Sequence, residues 1–97
     1  MIVKILTAPQ WSQFQSDGVF AGSEVDRADG FIHFSTPEQL PGTLEKHYAG
    51  QCDLWAIEVD EKALGDALKW EISRGGEKFP HLYGVLMLES VSAYRSL

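Results

Sequence analysis

Asp53-Leu-Trp-Ala-Ile-Glu-Val-Asp60 is the stretch from which the fold can be read outward. Side chains alternate across a strand with a period of two. Leu54, Ala56 and Ile57 are apolar, and Trp55 and Val59 fall on the face opposite Leu54 and Ala56. Both faces of this strand are therefore expected to be covered, which makes it an interior element. Toward the N-terminus, residues 2–6 (Ile-Val-Lys-Ile-Leu) read as a second strand. Thr7 can cap the helix that follows, with Pro9 in its first turn, Trp11 and Phe14 on one face, and Asp17-Gly18 as its end.

Residues 19–29 read as a loop, rich in acids and containing Gly22 and Ser23. Asp29-Gly30 is a turn signal, and residues 31–34 are apolar enough for a buried strand. Ser35 or Thr36 can cap a second helix, with Pro37 near its start, an apolar face through Leu40 and Leu44, and Gly50 at its close. Beyond the interior strand, residues 62–68 predict a short helix weakened by Gly65, and residues 69–72 a strand. Residues 73–84 hold three glycines and a proline and read as irregular. Residues 85–95 form a last strand, or two that meet near Glu89-Ser90. Helices come early and strands crowd late. That order predicts an α+β fold with a mixed, largely antiparallel sheet and two to three short helices, in a single domain over residues 1–97.

Composition excludes several functions. The 97 residues carry 8 basic and 14 acidic side chains, a formal net charge of −6. Phosphate backbones and anionic bilayers are held by clustered Lys and Arg, so broad nucleic-acid binding and membrane binding are not expected. No apolar run approaches the roughly 20 residues that span a bilayer. A lone cysteine, Cys52, can form neither an internal disulfide nor a cysteine-rich zinc site, and the first residues lack a cleavable leader, so a reduced, cytoplasmic protein is expected. His33, His47 and His81 show no metal-ligand spacing, and no metal is expected. No glycine-rich phosphate loop follows the first strand, and no nucleophile elbow is present. Oligomeric state is not encoded legibly.

Chemistry concentrates in two stretches, Phe31-Ile-His-Phe-Ser-Thr36 and Trp70-Glu-Ile-Ser-Arg-Gly-Gly-Glu-Lys-Phe-Pro-His-Leu-Tyr-Gly84. Strand periodicity puts His33 and Ser35 on one face, a pair that can orient a ligand; alternatively they are a core histidine and a helix cap. Arg74 with the amides of Gly75 and Gly76 can clamp a phosphate or carboxylate, or Arg74 can pair with Glu71 or Glu77 in an ordinary loop. Phe79, His81 and Tyr83 can wall a pocket that stacks a planar ligand, or simply bury a turn. Glu71 can serve as a general base or a hydroxyl acceptor, or as a solvated carboxylate.

The same stretches carry a resemblance. Trp11, Gly22-Ser23, Asp26, residues 29–36, Trp70-Glu71, Arg74-Gly-Gly76 and Phe79-Pro-His-Leu-Tyr-Gly84 resemble a small bacterial family known as domain of unknown function 952, over almost the whole chain. That family is similar to a compact ADP-ribosyltransferase fold, particularly that of RNA 2′-phosphotransferases, through the strand Phe31-Ile-His-Phe-Ser35. The resemblance implies a cleft between two small sheets that accepts NAD or a related nucleotide, with ADP-ribosyl or glycosyl transfer as the activity. It implies that Arg74, Gly75 and Gly76 hold a phosphate, that His33 and Ser35 orient a ribose, and that Tyr83 or Phe79 stacks on a base beside His81. Glu71 would polarise an attacking hydroxyl or stabilise an oxocarbenium-like state. Lys4 stands near where related chains often place a histidine that grips the nicotinamide ribose. The rival reading is a non-catalytic module that binds a small anionic metabolite or a protein partner.

Overall fold

The computed structural model describes the backbone of all 97 residues and every side chain except that of Arg74. The interior strand is β4, Leu54–Val59; it pairs antiparallel with β1, Ile2–Thr7, along its whole length, from Thr7 opposite Leu54 to Ile2 opposite Val59. Its other edge carries β8, Val91–Ser96, also antiparallel. Both faces of β4 are covered, as its sequence pattern requires. Ile57 and Val59 join Ile2, Leu6, Trp11 and Phe14 in the larger core, while Leu54 and Ala56 pack with Val3, Ile5 and Leu40 in a second.

Helix α1, Ala8–Asp17, sits where its capping residues put it. Thr7 Oγ1 accepts from the Gln10 amide at 3.2 Å, and Gln10 Oε1 accepts from the Thr7 amide at 2.9 Å, a reciprocal box that satisfies two orphan donors. Gly18 ends it at φ 76°, a left-handed conformation that costs a glycine little. Trp11 and Phe14 meet edge to face, with centroids 5.6 Å apart, and seal the larger core.

Two expected loops are structured. Residues 19–29 hold β2, Val19–Phe20, and α2, Glu24–Asp29. Ser23 caps α2 with the same box, and here Asp26 at the third helical position supplies the returning side chain. Six residues without an apolar stripe hide such a helix from periodicity. Strand β2 pairs with β7, Leu86–Met87, which a 3₁₀ turn, Leu88–Ser90, separates from β8.

The second correction decides the site. Residues 78–82, expected to be irregular, form β6, Lys78–Leu82, the centre of a sheet ordered β3-β6-β5, where β3 is Ile32–His33 and β5 is Leu68–Ile72. Pro80 is tolerated there because its position needs a donor on one side only. A residue's N–H and C=O point to the same neighbour in an antiparallel ladder. The Pro80 carbonyl accepts from Phe34 at 3.0 Å, on the β3 side, so the missing donor also belongs to that side and the pairing with β5 is intact. With the ladder cut, the chain after Phe34 leaves β6. Ser35 exchanges two backbone hydrogen bonds with Val3 of β1, at 2.7 and 2.9 Å, and so stitches the two sheets together.

Every strand pairing described is antiparallel, so the sheets are not mixed, and the fold is α+β. Helix α3, Leu40–Tyr48, begins later than expected; Thr36 and Gln39 exchange side-chain bonds in the turn before it. The 3₁₀ segment Glu61–Ala67 bends at Gly65, at φ 58°. Among the described residues no helix is long and apolar enough to cross a membrane.

Candidate functional site

Helix α2 exists to deliver Asp26. Its carboxylate is 2% exposed and collects donors from three elements. Oδ2 accepts from the Ser23 amide and from Lys4 Nζ, both at 2.9 Å. Oδ1 accepts from Lys4 Nζ and from the His33 amide, both at 3.1 Å, and stands 2.6 Å from His33 Nδ1. Burial opposes the Asp26 charge, but the His33 hydrogen bond, the Lys4 charge and the Ser23 amide outweigh it and hold the carboxyl well below the usual range. Lys4 is buried too, 6.0 Å from the Phe20 ring centre. Burial pushes its ammonium down, against the upward pull of Asp26. Lys4 Nζ is thus engaged by both oxygens of Asp26, whose charge it compensates. Burial, with the charge of Asp26, raises the phenol of nearby Tyr48.

The His33 ring is held at both ends. Its Nε2 lies 2.9 Å from Asp29 Oδ2 at the end of α2. A carboxylate only accepts, so the ring satisfies both contacts when both nitrogens carry protons. Directly across the ladder, His33 pairs with His81 of β6, which places the two rings on one face with centroids 5.6 Å apart. His81 Nδ1 meets Glu71 Oε1 at 2.8 Å, and the Tyr83 hydroxyl donates to the same oxygen at 2.7 Å. Those two bonds, Tyr83 first, lower the Glu71 carboxyl, and the bond to Glu71 raises the Tyr83 phenol. Phe31 stacks on His81 at 4.0 Å with an interplanar angle of 19°.

Lys4, Asp26, Asp29, His33 and His81 face a cleft of about 670 Å³ between the two sheets, closed on the far side by α3. Five of the residues singled out by sequence line it: Lys4, His33, Ser35, Phe79 and His81. Ser35 Oγ lies 2.9 Å from Thr43 Oγ1 of α3, so its hydroxyl serves the cleft wall and does not cap a helix. Glu71 and Tyr83 stand outside the lining and reach it through His81. Gly75 and Gly76 adopt positive φ, 70° and 80°, in a turn beside the cleft and do not line it, although Ser73 does. The expected clamp by the Arg74 side chain lies outside the described residues. Sequence reading gave no site role to Asp26 or Asp29, although both fall in the stretches that carry the family resemblance, nor to the α3 residues Thr43, Lys46, His47 and Tyr48. A signal for Asp26 was present in Ser23-x-x-Asp26, since that spacing is a cap box that starts a helix and turns the Asp26 carboxylate back to the Ser23 amide. Among the described residues no group of His, Cys, Asp and Glu could hold a metal ion.

The family described as protein of unknown function (DUF952) matches residues 5–94. The chain belongs to the DUF952 family. Its fold is shared with protein CC0527 from Caulobacter crescentus. The crystal structure of that protein is 46% identical, with a TM-score of 0.96, and the match covers 99% of this chain and 84% of that one. A double-mutant crystal structure of CC0527 is 44% identical with a TM-score of 0.95, over 99% and 84% of the two chains. The solution structure of CC0527 is 46% identical with a TM-score of 0.89, over 99% and 83%. No curated protein matches the chain.

Proposed function

We propose that the cleft binds a nucleotide-type ligand, NAD or a close relative, in an ADP-ribosyltransferase-like domain. The observation that carries the reading is the cleft of about 670 Å³ between two small sheets. Its volume falls within the roughly 300–1,000 Å³ typical of small-ligand sites. Phe79 offers a ring for stacking a base. His33, Ser35 and Thr43 offer polar groups for ribose hydroxyls, and Lys46 offers a cation for a phosphate. Arg74 with Gly75 and Gly76 is kept as a phosphate-holding turn beside the cleft. Glu71 acts through His81 in this reading, as a positioning residue rather than a group that touches substrate.

Calorimetry with NAD, ADP-ribose and nicotinamide tests the proposal. Heat of binding is expected with NAD or ADP-ribose, weakened by Phe79→Ala. No heat with any of the three at millimolar concentration removes the nucleotide reading. Binding of inorganic phosphate alone would favour a module for a small anionic metabolite.

A further inference from the structure

We propose that His33 and His81 form an acid–base pair that hydrolyses a phosphodiester of a ribonucleotide in the cleft. The proposal rests on the nucleotide reading above and adds the bond that reacts. The two rings are register partners on neighbouring antiparallel strands, with centroids 5.6 Å apart and planes at 66°. Each has its Nδ1 against a carboxylate, Asp26 at 2.6 Å and Glu71 at 2.8 Å. The bond made by one ring nitrogen fixes the role of the other, so Nε2 is the working atom in both.

The surroundings then separate the roles. His33 Nε2 also faces a carboxylate, Asp29, at 2.9 Å, which keeps a proton there to give. His81 meets its carboxylate, Glu71, at Nδ1, and a carboxylate only accepts, so that nitrogen carries the proton and Nε2 carries the lone pair that can accept one. His33 is the acid and His81 the base. The Asp29 side chain is half exposed, so it can yield its place to an incoming oxygen.

The shared sheet face suits displacement at phosphorus better than inversion at carbon. Inversion at a glycosidic carbon needs its acid and its base on opposite faces of the sugar ring. In-line displacement at phosphorus does not, because the entering and leaving oxygens flank one atom and both can be reached from one side. In the step, His81 Nε2 takes a proton from water while the water oxygen bonds to phosphorus. The phosphorus–oxygen ester bond breaks, and His33 Nε2 gives its proton to the departing oxygen. The products are a phosphomonoester and an alcohol. Proton exchange with solvent restores the pair, and no oxidant or reductant takes part.

Hydrolysis of nucleoside 2′,3′-cyclic monophosphates by the full chain, followed by phosphorus NMR, tests the pair. A bell-shaped pH profile is expected. Among the described residues, the groups that shape it at His33 are Asp26 and Asp29 of α2, His81 of β6 and Lys4 of β1 behind Asp26, with Lys46, His47 and Tyr48 of α3 across the cleft. At His81 they are Glu71 and Lys69 of β5 and His33, with Tyr83 behind Glu71. His33→Gln and His81→Gln should each lower turnover about 100-fold or more, the first removing the alkaline limb and the second the acid limb. Turnover that survives both substitutions overturns the pair. Nucleotide binding without turnover overturns the pair and leaves the nucleotide reading standing; neither binding nor turnover removes both. Should a variant fail to fold, nitrogen NMR of the unaltered protein still decides. Protons on both His33 nitrogens and on Nδ1 alone of His81 are expected, and the reverse pattern overturns the assignment.

Discussion

Asp26 is the residue on which the site depends, and its importance follows from having no water to fall back on. Its two oxygens serve a lysine, an imidazole and two backbone amides. Removing one partner of a buried charge pair leaves the other uncompensated, which typically costs about 3–5 kcal/mol. Lys4→Met should therefore destabilise the protein by roughly that amount in urea unfolding, because it strands a carboxylate in the core. Asp26→Leu combined with Lys4→Met should recover only part of the loss, since it removes the stranded charge but leaves the Ser23 and His33 amides and His33 Nδ1 without their acceptor. A double variant no more stable than Lys4→Met alone would mean that the pair contributes more than mutual compensation. Glu71 lies at the other extreme. It is exposed at the cleft edge, and its task is to fix His81, so Glu71→Gln should leave stability nearly unchanged. Its effect should be seen in the nitrogen NMR signature of the His81 ring, where Gln can donate as well as accept and so no longer dictates one tautomer.

At the level of elements, α2 links the cap chemistry to the cleft. Ser23→Ala removes the Oγ that accepts from the Asp26 amide at 3.2 Å, and loss of such a cap costs about 1 kcal/mol. Because α2 carries both Asp26 and Asp29, the same substitution should perturb the His33 resonances more than those of β4. Uniform shifts through both sheets would show that α2 is not a separate unit. This helix also shows where sequence reading stops. Thr7, Gly18 and the two-faced β4 were legible because their signals are local: a cap, a left-handed glycine, a period of two. Helix α2 was not, since its six residues have no apolar stripe and its packing consists of polar contacts to Lys4 and His33, 22 and 7 positions away. Strand β6 was hidden by Pro80 and by the glycines before it, which read as loop until the hydrogen-bonding side of Pro80 is known. The site was half legible for the same reason. His33, Ser35, Phe79 and His81 stand out by residue type, whereas the carboxylates that orient the histidines are recognisable only once three strands and a helix are assembled.

Across the whole molecule, these carboxylates set how stability depends on pH. Asp26 titrates well below its ordinary value of 3.8 in the folded chain, held there by His33, Lys4 and the Ser23 amide against the opposing effect of burial. Between its folded value and 3.8 the unfolded chain carries the proton and the folded chain does not. Unfolding then takes up protons, so stability rises with pH in that window and is lost as pH falls through it. Glu71 is shifted in the same direction, by its bonds to Tyr83 and His81, and adds to the same limb. Lys4 acts at the other end: its folded value is depressed by burial, so stability rises as pH approaches 10.5, where the unfolded lysine also loses its proton. Tyr48 opposes it, because a phenol raised by burial and by Asp26 makes the folded state the poorer acid above pH 10. The alkaline side should consequently be shallow and the acid side steep. Urea unfolding at a series of pH values from 7 down to 3 should show native stability falling most sharply below about pH 4. The Asp26→Asn variant should be less stable at neutral pH, yet lose less on acidification, because it has no charge left to neutralise. Parallel curves for the two proteins would place the acid sensitivity elsewhere among the fourteen carboxylates and remove Asp26 from the centre of the fold's electrostatics.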